Sequence, residues 1–125
     1  MRYLIDTHVL LWWLDDNVSL SSIAKDTISN PNNVIFLSAV STWEIAIKKA
    51  LGKLVAPDNL ENVILDCNFT PLPVTIKHTL YLENIDNHHD DPFDRLLISQ
   101  AITENLVFIT RDNKIQQYQI PIIKA

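Results

Sequence analysis

Residues 91–112 read DPFDRLLISQAITENLVFITRD, and this stretch decides the fold class. Pro92 suits the first position of a helix, where its missing N–H is not needed. From there to Glu104 the apolar residues Leu97, Ile98, Ala101 and Ile102 fall at helical spacing. Residues 106–109 are then four apolar residues in a row, the pattern of a strand buried on both faces. An amphipathic helix feeding such a strand is half of a parallel α/β unit.

Working outward, the same alternation fills the chain. Residues 3–5 read as a first buried strand, residues 8–14 and 20–29 as helices, and Asn30-Pro31-Asn32-Asn33 as a turn. Residues 34–37 read as a second strand. Residues 39–51 read as a strong helix, with Gly52 placed to cap its end. Residues 59–67 and 75–84 read as helical, 87–90 as loop. The proline-broken run 69–74 reads as an edge strand, and 120–123 as a short fifth strand. The expectation is one domain over residues 1–125. It is an α/β fold with a central, mostly parallel sheet of four to five strands and helices on both faces.

Composition narrows the chemistry. With 125 residues, 47% of them hydrophobic, the chain can bury a core and lacks the signature of disorder. Its single cysteine, Cys67, excludes an intramolecular disulfide and thiolate metal clusters, and is expected to pack as a small apolar residue. Its single glycine, Gly52, excludes a glycine-rich dinucleotide fingerprint and a phosphate-binding P-loop. The apolar runs near the start are cut by Asp6 and by Asp15-Asp16, so neither a signal peptide nor a membrane span is expected and a cytoplasmic location is. The net charge of −5 runs against nucleic-acid binding, which draws on a basic face.

That acidity is patterned. Asp6 directly follows the first strand and Asp112 follows the fourth, so both fall at the carboxyl edge of the sheet, where ligands of parallel sheets bind. Glu44 sits within the stripe Val40, Trp43, Ile47 and Leu51, which is expected to face the core. Asp94 lies one turn before Leu97 and Ile98. Buried carboxylates are costly unless paired or bound to a cation. At an effective dielectric of about 20, two of them roughly 5 Å apart repel by about 3 kcal/mol. Four hard oxygen donors suit Mg2+ or Mn2+, not zinc. A bound ion would also reverse the local sign where a phosphate must approach.

Each acid alone has a plainer reading. Glu44 has capping-box spacing from Ser41, and Asp94 from Asp91. Asp6 suits the cap of the first helix, and Asp112 an ordinary turn. Convergence of all four at one edge favours the metal site.

These residues also resemble a known family. Leu4-Ile5-Asp6-Thr7-His8, Ser38 with Ser41 to Lys48, His89 to Ile98 with its Asp-Pro-Phe-Asp-Arg core, and Thr110-Arg111-Asp112 are similar, in order, to the motifs of PIN domains, in particular VapC-type toxins. The resemblance implies a PIN-like three-layer α/β fold and a Mg2+- or Mn2+-dependent endoribonuclease. It carries catalytic and metal-binding roles onto Asp6, Glu44, Asp94 and Asp112. It further implies an RNA substrate, a homodimer and a cognate antitoxin whose tail lies in the active-site groove.

Around the acids, Thr7, Ser41, Asp91, Arg95, Thr110 and Arg111 are candidates for orienting them or touching substrate. Asp91 reads first as the cap of the Pro92 helix. Thr110 is expected to orient Asp6 or Asp112, and Ser41 to orient Glu44. Arg95 and Arg111 suit RNA phosphates or the acids themselves. His8 suits a helix start or substrate, His89 a hydrogen bond near the site, and His88 plain exposure. Lys48 reads as an i, i+4 partner of Glu44, and Lys49 and Lys53 first as a solvated face and second as an RNA track. Trp12 and Trp13 are adjacent, so one is expected to pack inside and the other to serve a dimer or antitoxin surface.

Three rivals use related residues. A phosphotransfer receiver needs an Asp after a middle strand, but Leu37 is followed by Ser38, and Lys114 lies past the expected lysine. An aspartate-nucleophile phosphatase usually has a second acid two residues after the first, where this chain has His8. An inactive PIN-like module that binds RNA or protein would not need its four acids intact.

Overall fold

The computed structural model describes residues 1–86, 90–112, 114–115, 118 and 120–125. Strand β1 is Arg2–Ile5, followed by helices α1 Thr7–Leu14 and α2 Ser22–Ser29. Strand β2 Val34–Ser38 leads to α3 Ala39–Ala50 and α4 Leu60–Asp66. Strand β3 is Thr70–Leu72, then α5 Ile76–Leu80 with a 3-10 turn at Tyr81–Asn84. The chain closes with α6 Pro92–Thr103, β4 Val107–Thr110 and β5 Ile122–Lys124.

The five strands lie in the order β3-β2-β1-β4-β5, and every neighbouring pair is parallel. The sheet is therefore more uniform than the mostly parallel one expected. Side chains alternate across it. Tyr3, Ile5, Ile35, Leu37 and Ile109 pack with Val9 and Leu10 of α1, Ala24 and Ile28 of α2 and Ile64 of α4. Leu4 and Phe108 point the other way, onto Leu97, Ile98 and Ala101 of α6. Helices on both faces give the three layers. β3, which contains Pro71, is an edge strand, as its missing N–H requires.

With one glycine, most helix ends need another residue that tolerates the left-handed region. Asp16, Asn68 and Asn105 adopt φ of 47°, 59° and 55° just past α1, α4 and α6, and Gly52 adopts 71° past α3. At α3 the Gly52 and Lys53 N–H groups close back onto the Lys49 and Lys48 carbonyls. The same pattern follows α6, where Asn105 and Leu106 bond Ile102 and Ala101.

Two packing expectations fail. In α3 only Val40 of the expected stripe is buried; Trp43 is 51% exposed, and Ile47 and Leu51 are exposed too. The buried face carries Val40, Ser41, Glu44 and Ile45 instead, because this helix walls a polar pocket. Trp12 and Trp13 do not divide into one inside and one outside: both are half-buried against the same core as Leu11 and Leu14. Cys67 packs partly buried against that core, as expected. Among the described residues, no helix is long and apolar enough to cross a membrane.

The chain builds outward from β1 through β2 to β3, then returns to β1's other side with β4. The β1–β4 boundary is thus the topological switch point, where a crevice opens beyond the carboxyl ends of the strands.

Candidate active site

Asp6 occupies that switch point. It follows Ile5 directly and caps α1, its Oδ1 accepting the Val9 N–H at 2.8 Å. Its Oδ2 accepts the hydroxyl of Thr110, the last residue of β4. Thr110 Oγ1 in turn accepts the Asp112 N–H at 3.1 Å. One buried hydroxyl therefore joins the two acids at the ends of adjacent strands. Asp112 also accepts the Lys114 N–H through Oδ1, at 2.8 Å, so its turn role is real.

Asp6 is only 5% exposed. Burial pushes its carboxyl up to about 6, against the bonds from Thr110 and Val9 and the charge of His8, which pull it down; the charge of Asp112 adds a smaller push upward.

Glu44 comes from the buried face of α3 and is 6% exposed. Its Oε2 meets Lys48 Nζ at 2.5 Å. Its Oε1 is buried with no hydrogen-bond partner among the described residues. A capping box with Ser41 is excluded, because α3 begins earlier and Ser38 caps it, accepting the Val40 N–H at 2.9 Å. Ser41 does not hold Glu44 either: it accepts the Thr7 hydroxyl at 2.9 Å, tying α1 to α3 beside the site. Asp91 caps α6, accepting the Phe93 and Asp94 N–H groups at 2.8 and 3.2 Å, and so fixes the turn that presents Asp94.

These elements enclose one cavity of about 390 Å3. Asp6, Glu44, Asp94 and Asp112 all line it, with Asp91, Thr7, His8 and Trp12; its basic wall groups are Lys48 and Arg111. The four acids that the sequence placed at one edge thus meet around one space. Arg111 is committed to the chain: it donates to the Ser19 carbonyl and to the Ala125 carbonyl at 2.8 Å, and lies over the Trp12 ring at 4.8 Å. Arg95 is not on the wall and donates to the Asp86 carbonyl at 3.5 Å. His88 and His89 lie outside the described residues.

Could these residues hold a divalent ion? Among the described residues, no three acid, histidine or cysteine side chains are gathered closely enough to form a finished cage. Mg2+ does not demand one, since it usually retains several waters and takes few direct protein ligands. Donor chemistry and burial fit: among the described residues five carboxylates face two cations, and Glu44 Oε1 is desolvated without a partner.

Some of the support was not foreseen. Gln100 and His78 are fully buried. Gln100 Oε1 accepts the Ser38 hydroxyl at 2.5 Å, and its Nε2 lies 3.3 Å from the Pro73 carbonyl and from His78 Nδ1. His78 Nε2 meets Glu104 Oε2 at 2.8 Å. This network pins the start of α3 to α6 and so sets the spacing between the helices carrying Glu44 and Asp94. The available signal was Gln100 itself, a polar residue between Leu97 and Ala101.

A family model for the PIN domain matches residues 3–121. The chain is 40% identical over 58 residues to Ribonuclease VapC16 of Mycobacterium tuberculosis, an alignment covering 43% of this chain and 41% of that protein. It is 25% identical over 125 residues to Ribonuclease VapC22 of the same organism, covering 94% of this chain and 92% of that one. Its fold is similar to that in the crystal structure of VapBC2 from Rickettsia felis bound to a promoter DNA fragment, with a TM-score of 0.74, 16% identity and coverage of 100% and 99%.

Proposed function

The chain belongs to the PIN domain family, and on that premise we propose that it is a Mg2+- or Mn2+-dependent endoribonuclease that hydrolyses RNA phosphodiester bonds at the Asp6, Glu44, Asp94 and Asp112 site. The observation that carries this reading is the buried Glu44 Oε1, without a partner among the described residues, in a pocket lined by all four acids. The names of the two Mycobacterium tuberculosis relatives, both ribonucleases, support it.

In this reading Asp6, Asp94 and Asp112 would hold the ion, directly or through water. When bound, it supplies the positive charge a phosphodiester needs to approach so many carboxylates, and Lewis acidity for hydrolysis. The chain's own groups do the positioning. Thr110, held by the Asp112 N–H, fixes the Asp6 carboxylate through its hydroxyl. Asp91 orders the first turn of α6 and with it Asp94. Glu44 either completes the ligand set or takes the proton of the attacking water.

The VapC-type signature further supports a role as the toxin of a toxin–antitoxin pair, acting as a homodimer and restrained by a cognate antitoxin. The test is cleavage of a mixed cellular RNA pool by purified protein in Mg2+, Mn2+ or EDTA, with Asp94→Asn alongside. Cleavage that needs metal and is lost in the variant supports the reading. Folded protein that cuts nothing under any metal points to a binding module, and activity that survives in Asp94→Asn removes this site from the chemistry.

A further inference from the structure

Lys48 stands in an unusual place for the plain helix-surface partner that its spacing suggests. Its side chain is 39% exposed and it lies on the wall of the acid pocket, 2.5 Å from Glu44 Oε2. The charges of Asp91 and Asp94 act on it as well. The other basic wall group, Arg111, is already spent on the Ser19 and Ala125 carbonyls and on Trp12. Lys48 is different. An ammonium has three donors on a flexible four-carbon stem, and the bond to Glu44 uses one. A cation of this kind satisfies one oxygen of a buried carboxylate and leaves the other, Oε1, without a partner among the described residues.

We propose that Lys48 is an exchangeable counter-ion of the pocket: its ammonium neutralises Glu44 while no divalent ion is bound, and once an ion takes Glu44 it turns to a phosphate of the RNA strand. This rests on the metal-dependent ribonuclease reading. It gives an acidic protein a route to a polyanion, because the positive charge that held the empty site becomes the charge that holds substrate. It also makes a prediction that a purely structural role does not. Lys48 competes with the metal and assists the RNA, so removing it moves the two affinities in opposite directions.

The experiment compares wild type, Lys48→Met, Lys48→Arg and Lys49→Met. Binding of Mn2+ alone is measured by titration calorimetry. Binding of a mixed-sequence 2′-O-methyl RNA, checked on a gel to remain intact, is measured by fluorescence anisotropy in Mn2+ across a salt series. Lys49, whose ammonium pairs with exposed Asp58 at 2.6 Å, is the control and is expected to change neither. For Lys48→Met the expectation is Mn2+ binding tighter by about fivefold, the scale of one partly exposed ion pair. RNA binding becomes weaker, and the slope of log affinity against log salt falls by about 0.7, the contribution of one single-strand phosphate contact. Lys48→Arg keeps the wild-type slope. Weaker or unchanged Mn2+ binding in Lys48→Met overturns the inference while leaving the metal site standing, as does an unchanged salt slope. Absence of Mn2+ binding in both wild type and Lys48→Met overturns the metal site itself, and this inference with it.

Discussion

Replacing Asp6 by Asn should stabilise the folded protein at neutral pH, and the gain should vanish in acid. The folded carboxyl sits at about 6 and the ordinary value is 3.8. At about 1.4 kcal/mol per pH unit, that gap corresponds to about 3 kcal/mol. The sign follows from proton binding. A raised carboxyl pKa means that the folded protein holds the proton more tightly than the unfolded chain. Stability is therefore unaffected below the unfolded value, falls as pH rises from 3.8 towards 6, and stays low above that. Asn is neutral throughout and its amide oxygen can still accept the Val9 N–H. It cannot accept the Thr110 hydroxyl through the amide nitrogen, so about 1 kcal/mol is returned. The net gain is about 2 kcal/mol at pH 7.5, and by pH 4 it gives way to a small net loss, because the lost hydrogen bond then outweighs the relieved charge. Urea unfolding of both proteins in EDTA at pH 4, 5.5 and 7.5 measures it. Mg2+ should narrow the gap at pH 7.5, because it binds the folded wild type more tightly. A variant less stable than wild type at pH 7.5, or a difference that does not change with pH, would refute the claim that Asp6 is a buried charge held at the expense of stability.

The remaining predictions concern the frame. Thr110→Val removes the hydroxyl that joins Asp6 and Asp112; it should lower stability by about 2 kcal/mol in urea titration and cut RNA cleavage, with the metal requirement unchanged. Gln100→Leu breaks the Ser38–Gln100–His78 network; a loss of about 1–3 kcal/mol is expected in the same assay, and a wild-type midpoint would show that the network does not hold α3 against α6. Gly52→Ala should be destabilising by about 1 kcal/mol through backbone strain alone, since a Cβ there meets nothing within 4 Å; thermal unfolding checks it.

What the sequence made legible was whatever depends on short-range pattern. The unbroken apolar runs at 3–5, 34–37 and 106–109 mark strands, and the residue types ending them mark the sheet edge, which places Asp6 and Asp112 from sequence alone. The prolines at 71 and 73 and the run of helices between strands gave β3 its edge and the sheet its parallel sense. Asp94 followed from its spacing to Leu97 and Ile98, both buried. What stayed hidden depends on which partner a helix face meets. The 3.6 period of α3 is satisfied by Val40, Trp43, Ile47 and Leu51, but that stripe faces mostly outward, and Glu44 is buried on a polar face with Ser41. Periodicity finds a face without saying what covers it. Likewise Lys48 was legible as a partner of Glu44, yet its place on the pocket wall depends on α1 and α6, distant in sequence. The Ser38–Gln100 bond spans 62 residues, and the choice of Ser38 over Ser41 as the cap of α3 turns on where β2 stops.

The central claim is that four carboxylates act together as one metal-dependent centre for RNA hydrolysis. Single-turnover cleavage by wild type, Asp6→Asn, Glu44→Gln, Asp94→Asn and Asp112→Asn, each checked for folding and each run in Mg2+ and in EDTA, tests it most directly. The account predicts EDTA-sensitive cleavage in wild type and losses of about 100-fold or more in every variant, with double variants scarcely worse than singles because the residues work as a unit. Cleavage that persists at the wild-type rate in any one of the four, or in EDTA, would contradict it.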